Sequence, residues 1–174
     1  RRCHVATDPD PAEGRPRGLY GNEFGRAPAE VVRRATKGIE PPTTTNIIAM
    51  AAPSGGQGRY SGEQTTHVLT TAWTGFRSAV HESGSGPVAI HTGFWGCGAF
   101  GGNRVLMAML QAIAAGAAGV ARLVFHAPGD PGAAALDSAL RTIRKDLGGP
   151  PISSSELVRR IGAMGFEWGE SDGN

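Results

Sequence analysis

The chain has 174 residues, of which 40% are hydrophobic and 18% are charged, a composition typical of one globular domain with a substantial core. Its net charge is only +2, which does not indicate the clustered basic residues of a nucleic-acid-binding protein. Two cysteines are too few for a disulfide framework, and the sequence shows neither a signal peptide nor an apolar run of membrane-spanning length. We therefore expect a cytoplasmic protein with no nucleic-acid or membrane partner.

The first part of the chain predicts little regular structure. Residues 1–45 are rich in proline, glycine and aspartate and predict an irregular segment with one short helix at 28–37. From residue 46 onward, apolar runs that predict buried strands alternate with amphipathic stretches that predict helices. The predicted strands are 46–52, 87–92 and 121–127, and the predicted helices are 61–82, 103–118, 132–147 and 154–164.

Strands that alternate with helices, without tight hairpin signals, are typical of a mostly parallel sheet covered on both faces. The sequence thus predicts an α/β fold, an α/β/α sandwich with a mostly parallel mixed sheet, over residues 46–167, followed by a tail at 168–174. Three strands make a small sheet, so we expect further strands from residues 1–45 or from a partner chain. The chain starts at Arg1 without a methionine, which leaves open whether other residues precede it.

A glycine-rich loop carries the main functional signal. The stretch TGFWGCGAFGG at 92–102 follows a predicted strand and precedes a predicted helix. Glycine loses the most entropy in regular elements, so this density predicts a loop whose backbone closely approaches a ligand. At such a position several backbone N–H groups can converge on a phosphate. The stretch has no P-loop pattern, and no acidic residue about twenty positions on completes a dinucleotide fingerprint.

Three aromatic side chains lie in the same loop. Aromatic rings beside a diphosphate are suited to stacking on a base or covering a ribose, and the alternative is that they fill the core beneath the loop. We expect Phe100, at the helix entrance, to contact a ligand. For Trp95 burial is favoured and ligand contact is the alternative.

The loop and its surroundings resemble a known family. TGFWGCGAFGGN at 92–103 agrees at ten of twelve positions with TGNWGCGAFGGD, the diphosphate-binding loop of the poly(ADP-ribose) glycohydrolases. The IIAMAA run with the glutamine and tyrosine after it, the AWTGF helix ending and the LVFHAPGD strand are also similar, over roughly residues 46–130. The resemblance implies a macrodomain-like fold and cleavage of ribose–ribose bonds in ADP-ribose polymers.

The resemblance also implies a ligand and its contacts. The ligand would be ADP-ribose, NAD or a related nucleoside diphosphate, with no further cofactor, and Phe100 would lie against the distal ribose. The residues that would present backbone to the diphosphate are Gly96, Cys97, Gly98, Ala99, Gly101 and Gly102. Two positions depart from the pattern: Phe94, which we also expect to line the ligand site, replaces a ligand-contacting asparagine, and Asn103 replaces an aspartate, which removes a charge beside the anion.

The catalytic acid is the missing part of the pattern. Family enzymes carry a Gln-Glu-Glu triplet before the first of these strands, and one glutamate acts as general acid and base. This sequence contains no two consecutive glutamates, and Glu23 in GNEF is the candidate substitute, with a surface role as the alternative. Two readings stay open: a glycohydrolase whose acid comes from a partner chain or a missing N-terminal half, and a non-catalytic ADP-ribose-binding module or half of a split protein.

Other reactive residues do not form a competing pattern. Cys97 lies at a helix entrance with His91 nearby in sequence, but the family loop carries the same cysteine in a backbone role, so a Cys–His enzyme is disfavoured. His67, His81 and His91 lack metal-ligand spacing, and we predict no metal site.

Overall fold

A computed structural model describes residues 2–44, 46–53, 55–127 and 129–171. Its contacts divide the chain into two compact units, one up to Ile47 and the other from Ile48 onward. No helix in the described part of the chain is both long and apolar enough to cross a membrane.

The first unit is small and mixed. Its elements are β1 (Cys3–Val5), a 3-10 turn (Pro11–Glu13), α1 (Asn22–Arg26), α2 (Ala29–Ala35) and β2 (Thr36–Gly38). The two strands pair antiparallel, and Leu19, Val31 and Ala35 form a core of their own. The short helix predicted at 28–37 is confirmed as α2. Residues 1–45 do contain two strands, but in the described structure these pair only with each other and add no strand to the main sheet, contrary to that expectation.

The second unit contains the alternating elements that the sequence predicts. They are α3 (Gly62–Glu82), β3 (Ala89–Thr92), α4 (Arg104–Ala118), β4 (Arg122–Phe125), α5 (Gly129–Thr142) with a π-helical continuation (Ile143–Leu147), and α6 (Ser154–Ala163). All four predicted helices are confirmed, and two of the predicted strands are confirmed within shorter bounds. The mixed α/β class with small sheets agrees with a macrodomain-like fold.

Local signals explain where the main helices begin and end. Ser61 and Gln64 form a reciprocal capping box at the start of α3. The Asn103 side chain caps α4 by accepting from the backbone N–H of Leu106, and Gly119 ends that helix in the left-handed conformation. Because α4 packs against both α3 and α5, it is apolar nearly all round and forms the centre of the core.

The sheet of the second unit has two parallel strands among the described residues. Ala89 pairs with Arg122 and Thr92 with Phe125, so the carboxyl ends of β3 and β4 lie side by side. Ile90 packs into a cluster with residues of α3 and α4, which places the helical core on one face of the sheet. This parallel pairing confirms the predicted sheet type.

The strand predicted at 46–52 is wrong, because this run has no regular secondary structure. Ile47 and Ile48 are 73% and 36% exposed. The Met50 carbonyl accepts a hydrogen bond from the Trp95 indole, and the Met50 side chain packs against α3 beside Gly75. Apolar composition indicates contact with a core, but a strand also needs a neighbour's backbone hydrogen bonds, and here a side chain takes that place.

Candidate functional site

The candidate site lies where the two parallel strands end. The loop at 93–103 connects the carboxyl end of β3 to the amino end of α4, and the backbone N–H of His126, just past β4, donates to the Thr92 carbonyl at 2.8 Å. The amino end of α5 follows shortly after. Ligands of open α/β sheets bind at such strand ends, and helix amino termini favour anions.

Internal hydrogen bonds fold the loop into successive tight turns. The N–H of Gly101 donates to the Gly98 carbonyl at 3.0 Å, and the N–H of Gly102 donates to the Gly96 carbonyl at 2.9 Å. Gly101 has φ +62°, and a Cβ atom at Gly102 would lie 2.7 Å from the Gly96 carbonyl oxygen. Only glycine fits both positions, because one needs left-handed backbone and the other has no room for a side chain.

Three consecutive backbone donors of the loop stay unpaired. The N–H groups of Gly98, Ala99 and Phe100 form no hydrogen bond within the described residues, and neither does that of Gly96. By contrast, the N–H groups of the other loop residues predicted to face the diphosphate, Cys97, Gly101 and Gly102, donate to carbonyls of the loop itself. The loop therefore has three successive free backbone donors shortly before a helix amino terminus, and free donors of this kind are what anion-binding nests use.

Of the three aromatic residues of the loop, two contact the core and one is exposed. Phe94 packs edge-on against Phe125, with ring centroids 5.0 Å apart, and the Trp95 indole N–H donates to the Met50 carbonyl at 3.3 Å. Phe100 is 43% exposed. Phe94 and Trp95 thus hold the loop on the core, while Phe100 presents its ring to solvent.

Arg104 is a candidate site residue that the sequence reasoning missed. Its guanidinium lies 5.5 Å from the centroid of the Phe94 ring, and its charge acts to lower the pKa of Cys97, so it is close to the loop. Among the described residues it has no ion-pair partner. The signal in the sequence was its position as the first residue of α4, directly after Asn103.

Cys97 is unsuited to act as a nucleophile. Burial raises the pKa of its thiol to about 12, outweighing the opposing effect of Arg104. Its Sγ atom lies 3.7 Å from the Trp95 carbonyl, to which it donates. A neutral, buried thiol fits the backbone role that the family resemblance implies better than covalent catalysis.

The Asn103 side chain makes two hydrogen bonds, one as acceptor and one as donor, and an aspartate could make only the first. Its side-chain oxygen caps α4, while its amide nitrogen donates to the Glu167 carbonyl at 2.9 Å. Its backbone N–H donates to the Tyr60 hydroxyl oxygen at 3.0 Å. A carboxylate at 103 would retain the cap but would face the Glu167 carbonyl without a donor.

The segment after α6 lies along the carbonyl side of the loop. The N–H of Gly169 donates to the Gly101 carbonyl at 2.7 Å, and the Ser171 hydroxyl donates to the Ala99 carbonyl at 2.7 Å. Trp168 stacks on Tyr60, with ring centroids 4.3 Å apart. These contacts occupy loop carbonyls and leave the unpaired N–H groups available.

Gln111 of α4 fixes the point where the loop leaves the sheet. Its side chain is fully buried, accepts from the Thr92 hydroxyl and donates to the Gly93 carbonyl at 3.0 Å. A buried amide with these partners holds the strand end and the loop in one geometry.

The catalytic candidate Glu23 belongs to the first unit. It lies in the first turn of α1, and its carboxylate is 3.6 Å from the Arg17 guanidinium. Within the described residues, no three histidine, cysteine, aspartate or glutamate side chains cluster in a way that could hold a metal ion.

Comparisons with known proteins identify the family. A search of curated proteins found no significant match. A family model described as "Poly (ADP-ribose) glycohydrolase (PARG), Macro domain fold" matches residues 20–134, which include β3, β4 and the whole loop between β3 and α4. The chain therefore belongs to the poly(ADP-ribose) glycohydrolase family and shares its macrodomain fold.

Proposed function

We propose that this chain binds ADP-ribose or a related nucleoside diphosphate, with the diphosphate on the loop between β3 and α4. The observation that carries the proposal is the row of unpaired N–H groups at Gly98, Ala99 and Phe100. Backbone donors in a loop that opens a helix are suited to phosphate oxygens, because successive free donors can converge on one anion and the helix dipole favours negative charge. Family membership supports an ADP-ribose-type ligand over an unrelated anion.

Two side chains complete the proposed site. The exposed ring of Phe100 covers a ribose, as the family resemblance implies. Arg104 adds a positive charge beside the loop, and a charge-assisted hydrogen bond of this kind contributes about 1.5–3 kcal/mol. Asn103 stands where the family pattern has an aspartate, so no carboxylate at this position opposes an anion.

Hydrolysis of a glycosidic ribose bond is the family's reaction, and it requires a carboxyl group near the leaving oxygen. The Gln-Glu-Glu triplet is absent from this sequence, and Glu23 is the one substitute that sequence reasoning favours. We therefore propose that these 174 residues act as the ADP-ribose-binding part of a glycohydrolase-type protein, and that turnover depends on an acid supplied to this site.

Isothermal titration calorimetry with ADP-ribose tests the binding proposal. We expect Gly98→Val to abolish binding, because its side chain would stand among the three free donors. Gly116→Val is the matched control, since a Cβ atom at this site on α4 meets nothing within 4 Å and binding should be retained. Arg104→Ala should weaken binding about tenfold or more. Equal affinity of Gly98→Val and the control would remove the loop from the proposal.

A further inference from the structure

Two histidines meet on the face of the β3–β4 sheet that is opposite the helical core. Successive strand residues point to opposite faces, so His91 lies on the other side from Ile90, which is buried. His91 pairs in register with Val124, and His126 lies two residues beyond on the same face. Both imidazoles are exposed to solvent.

The two rings lie within hydrogen-bonding distance of each other. The Nδ1 atom of His91 lies 2.9 Å from the Nε2 atom of His126, and the ring planes are 26° apart with centroids separated by 5.2 Å. One nitrogen donates a proton to the other. The backbone hydrogen bond from His126 to Thr92 fixes the chain beneath the pair, so the juxtaposition is built into the sheet.

We propose that His91 and His126 form a two-imidazole site for a divalent transition-metal ion of the nickel or copper type. Imidazole nitrogens are favoured ligands for these ions. Two nitrogens at right angles around a metal, each with a bond of about 2.0–2.1 Å, are about 2.9 Å apart, whereas tetrahedral geometry would need about 3.3 Å. The 2.9 Å between the two nitrogens equals the first of these spacings, but the rings face each other head-on, with centroids 5.2 Å apart, so each exposed ring must turn before both lone pairs point at one ion.

Metal binding requires both rings to turn away from their head-on hydrogen bond, which their exposure to solvent permits. The metal ion lies to one side of the line between the two nitrogens, the hydrogen bond between the rings is broken, and the donor ring carries its proton on its other nitrogen instead, so that both facing nitrogens are free to coordinate. Because the described residues offer no third ligand nearby, water fills the remaining positions. The ion is therefore solvent-accessible and exchangeable.

Calorimetric titration of tag-free protein with NiCl2 tests this site. The Cys3→Ser background removes the one exposed thiol that could compete, and Cys97 is buried. We expect one ion to bind per chain. His91→Ala and His126→Ala should each weaken binding at least about tenfold, because losing even a residue that hydrogen-bonds to a metal-coordinating side chain has an effect of that size. His67→Ala, an exposed histidine on α3, is the matched control and should bind as the parent does.

Electron paramagnetic resonance of the copper(II) complex gives a second readout. Two coordinated nitrogens are expected in the parent and one in either single variant, while circular dichroism confirms that each variant is folded. Unchanged nickel affinity in the His91→Ala, His126→Ala double variant, or a single coordinated nitrogen in the parent, would overturn the proposal.

Discussion

At the residue scale, a few polar side chains set the geometry of the loop. Gln111 is the clearest of them, because its amide is fully buried and ties Thr92 at the strand end to Gly93 at the loop start. Asn103 acts similarly at the far end of the loop, where it caps α4 and holds the segment after α6. The free N–H groups lie between these two fixed points.

Replacing Gln111 with methionine should destabilise the protein by about 2 kcal/mol. The volume is nearly conserved, but the Thr92 hydroxyl and the Gly93 carbonyl lose their partner in a partly buried position. Urea unfolding followed by tryptophan fluorescence measures the change. Thr92→Val loses one of these bonds and should cost less, on the order of 1 kcal/mol. Parent-like stability of Gln111→Met would show that the amide is not needed for the fold.

At the element scale, polar side chains at the helix ends stabilise individual helices. On α6, Glu156 lies in the first turn, and its carboxylate accepts hydrogen bonds from Arg159 and Arg160. These hydrogen bonds lower the pKa of Glu156 from about 4.5 to about 2. Because the pKa is lower in the folded state, the stabilisation is present above about pH 4.5 and is lost as pH falls toward 2.

Glu156→Gln should therefore lower the melting temperature at pH 7, with a difference from the parent that shrinks as pH falls below 4.5. Thermal unfolding by circular dichroism at several pH values measures this difference. Glu63→Gln is the control, since Glu63, like Glu156, lies in the first turn of its helix, which is α3. A constant difference down to pH 3 would contradict the assignment of the stabilisation to this carboxylate.

Sequence patterns predicted one element of this unit well and another wrongly. The helix at 61–82 was predictable because its capping box and apolar spacing are local signals, and α3 begins within one residue of the expected position. The strand at 46–52 was not, since its composition indicates burial alone. Whether Met50 bonds to a neighbouring strand or to the Trp95 side chain depends on residues 45 positions away.

At the scale of the whole molecule, binding and catalysis make different demands. The loop needs only its own backbone and the helix behind it, and all of these lie in the second unit. The reaction also needs a carboxyl group at the leaving oxygen, and the candidate Glu23 lies in the first unit. Ligand binding should therefore survive conditions under which turnover is absent.

The 174-residue chain by itself should bind ADP-ribose but hydrolyse poly(ADP-ribose) poorly or not at all. General acid–base catalysis contributes a factor of about 100 to 10,000, which is lost when no carboxyl group is in reach. Chromatography of released ADP-ribose measures the activity. Efficient turnover that persists in Glu23→Gln would show that another group of this chain supplies the acid.

The sequence by itself determined the family, the helices and the position of the loop, because glycine density, caps and apolar spacing are properties of neighbouring residues. Only the tertiary structure decided which loop N–H groups stay free, since that depends on where Gly96 and Gly98 place their carbonyls. It likewise brought His126 to His91, which are 35 residues apart. Such contacts depend on strand register and backbone pairing, and neither leaves a local pattern in the sequence.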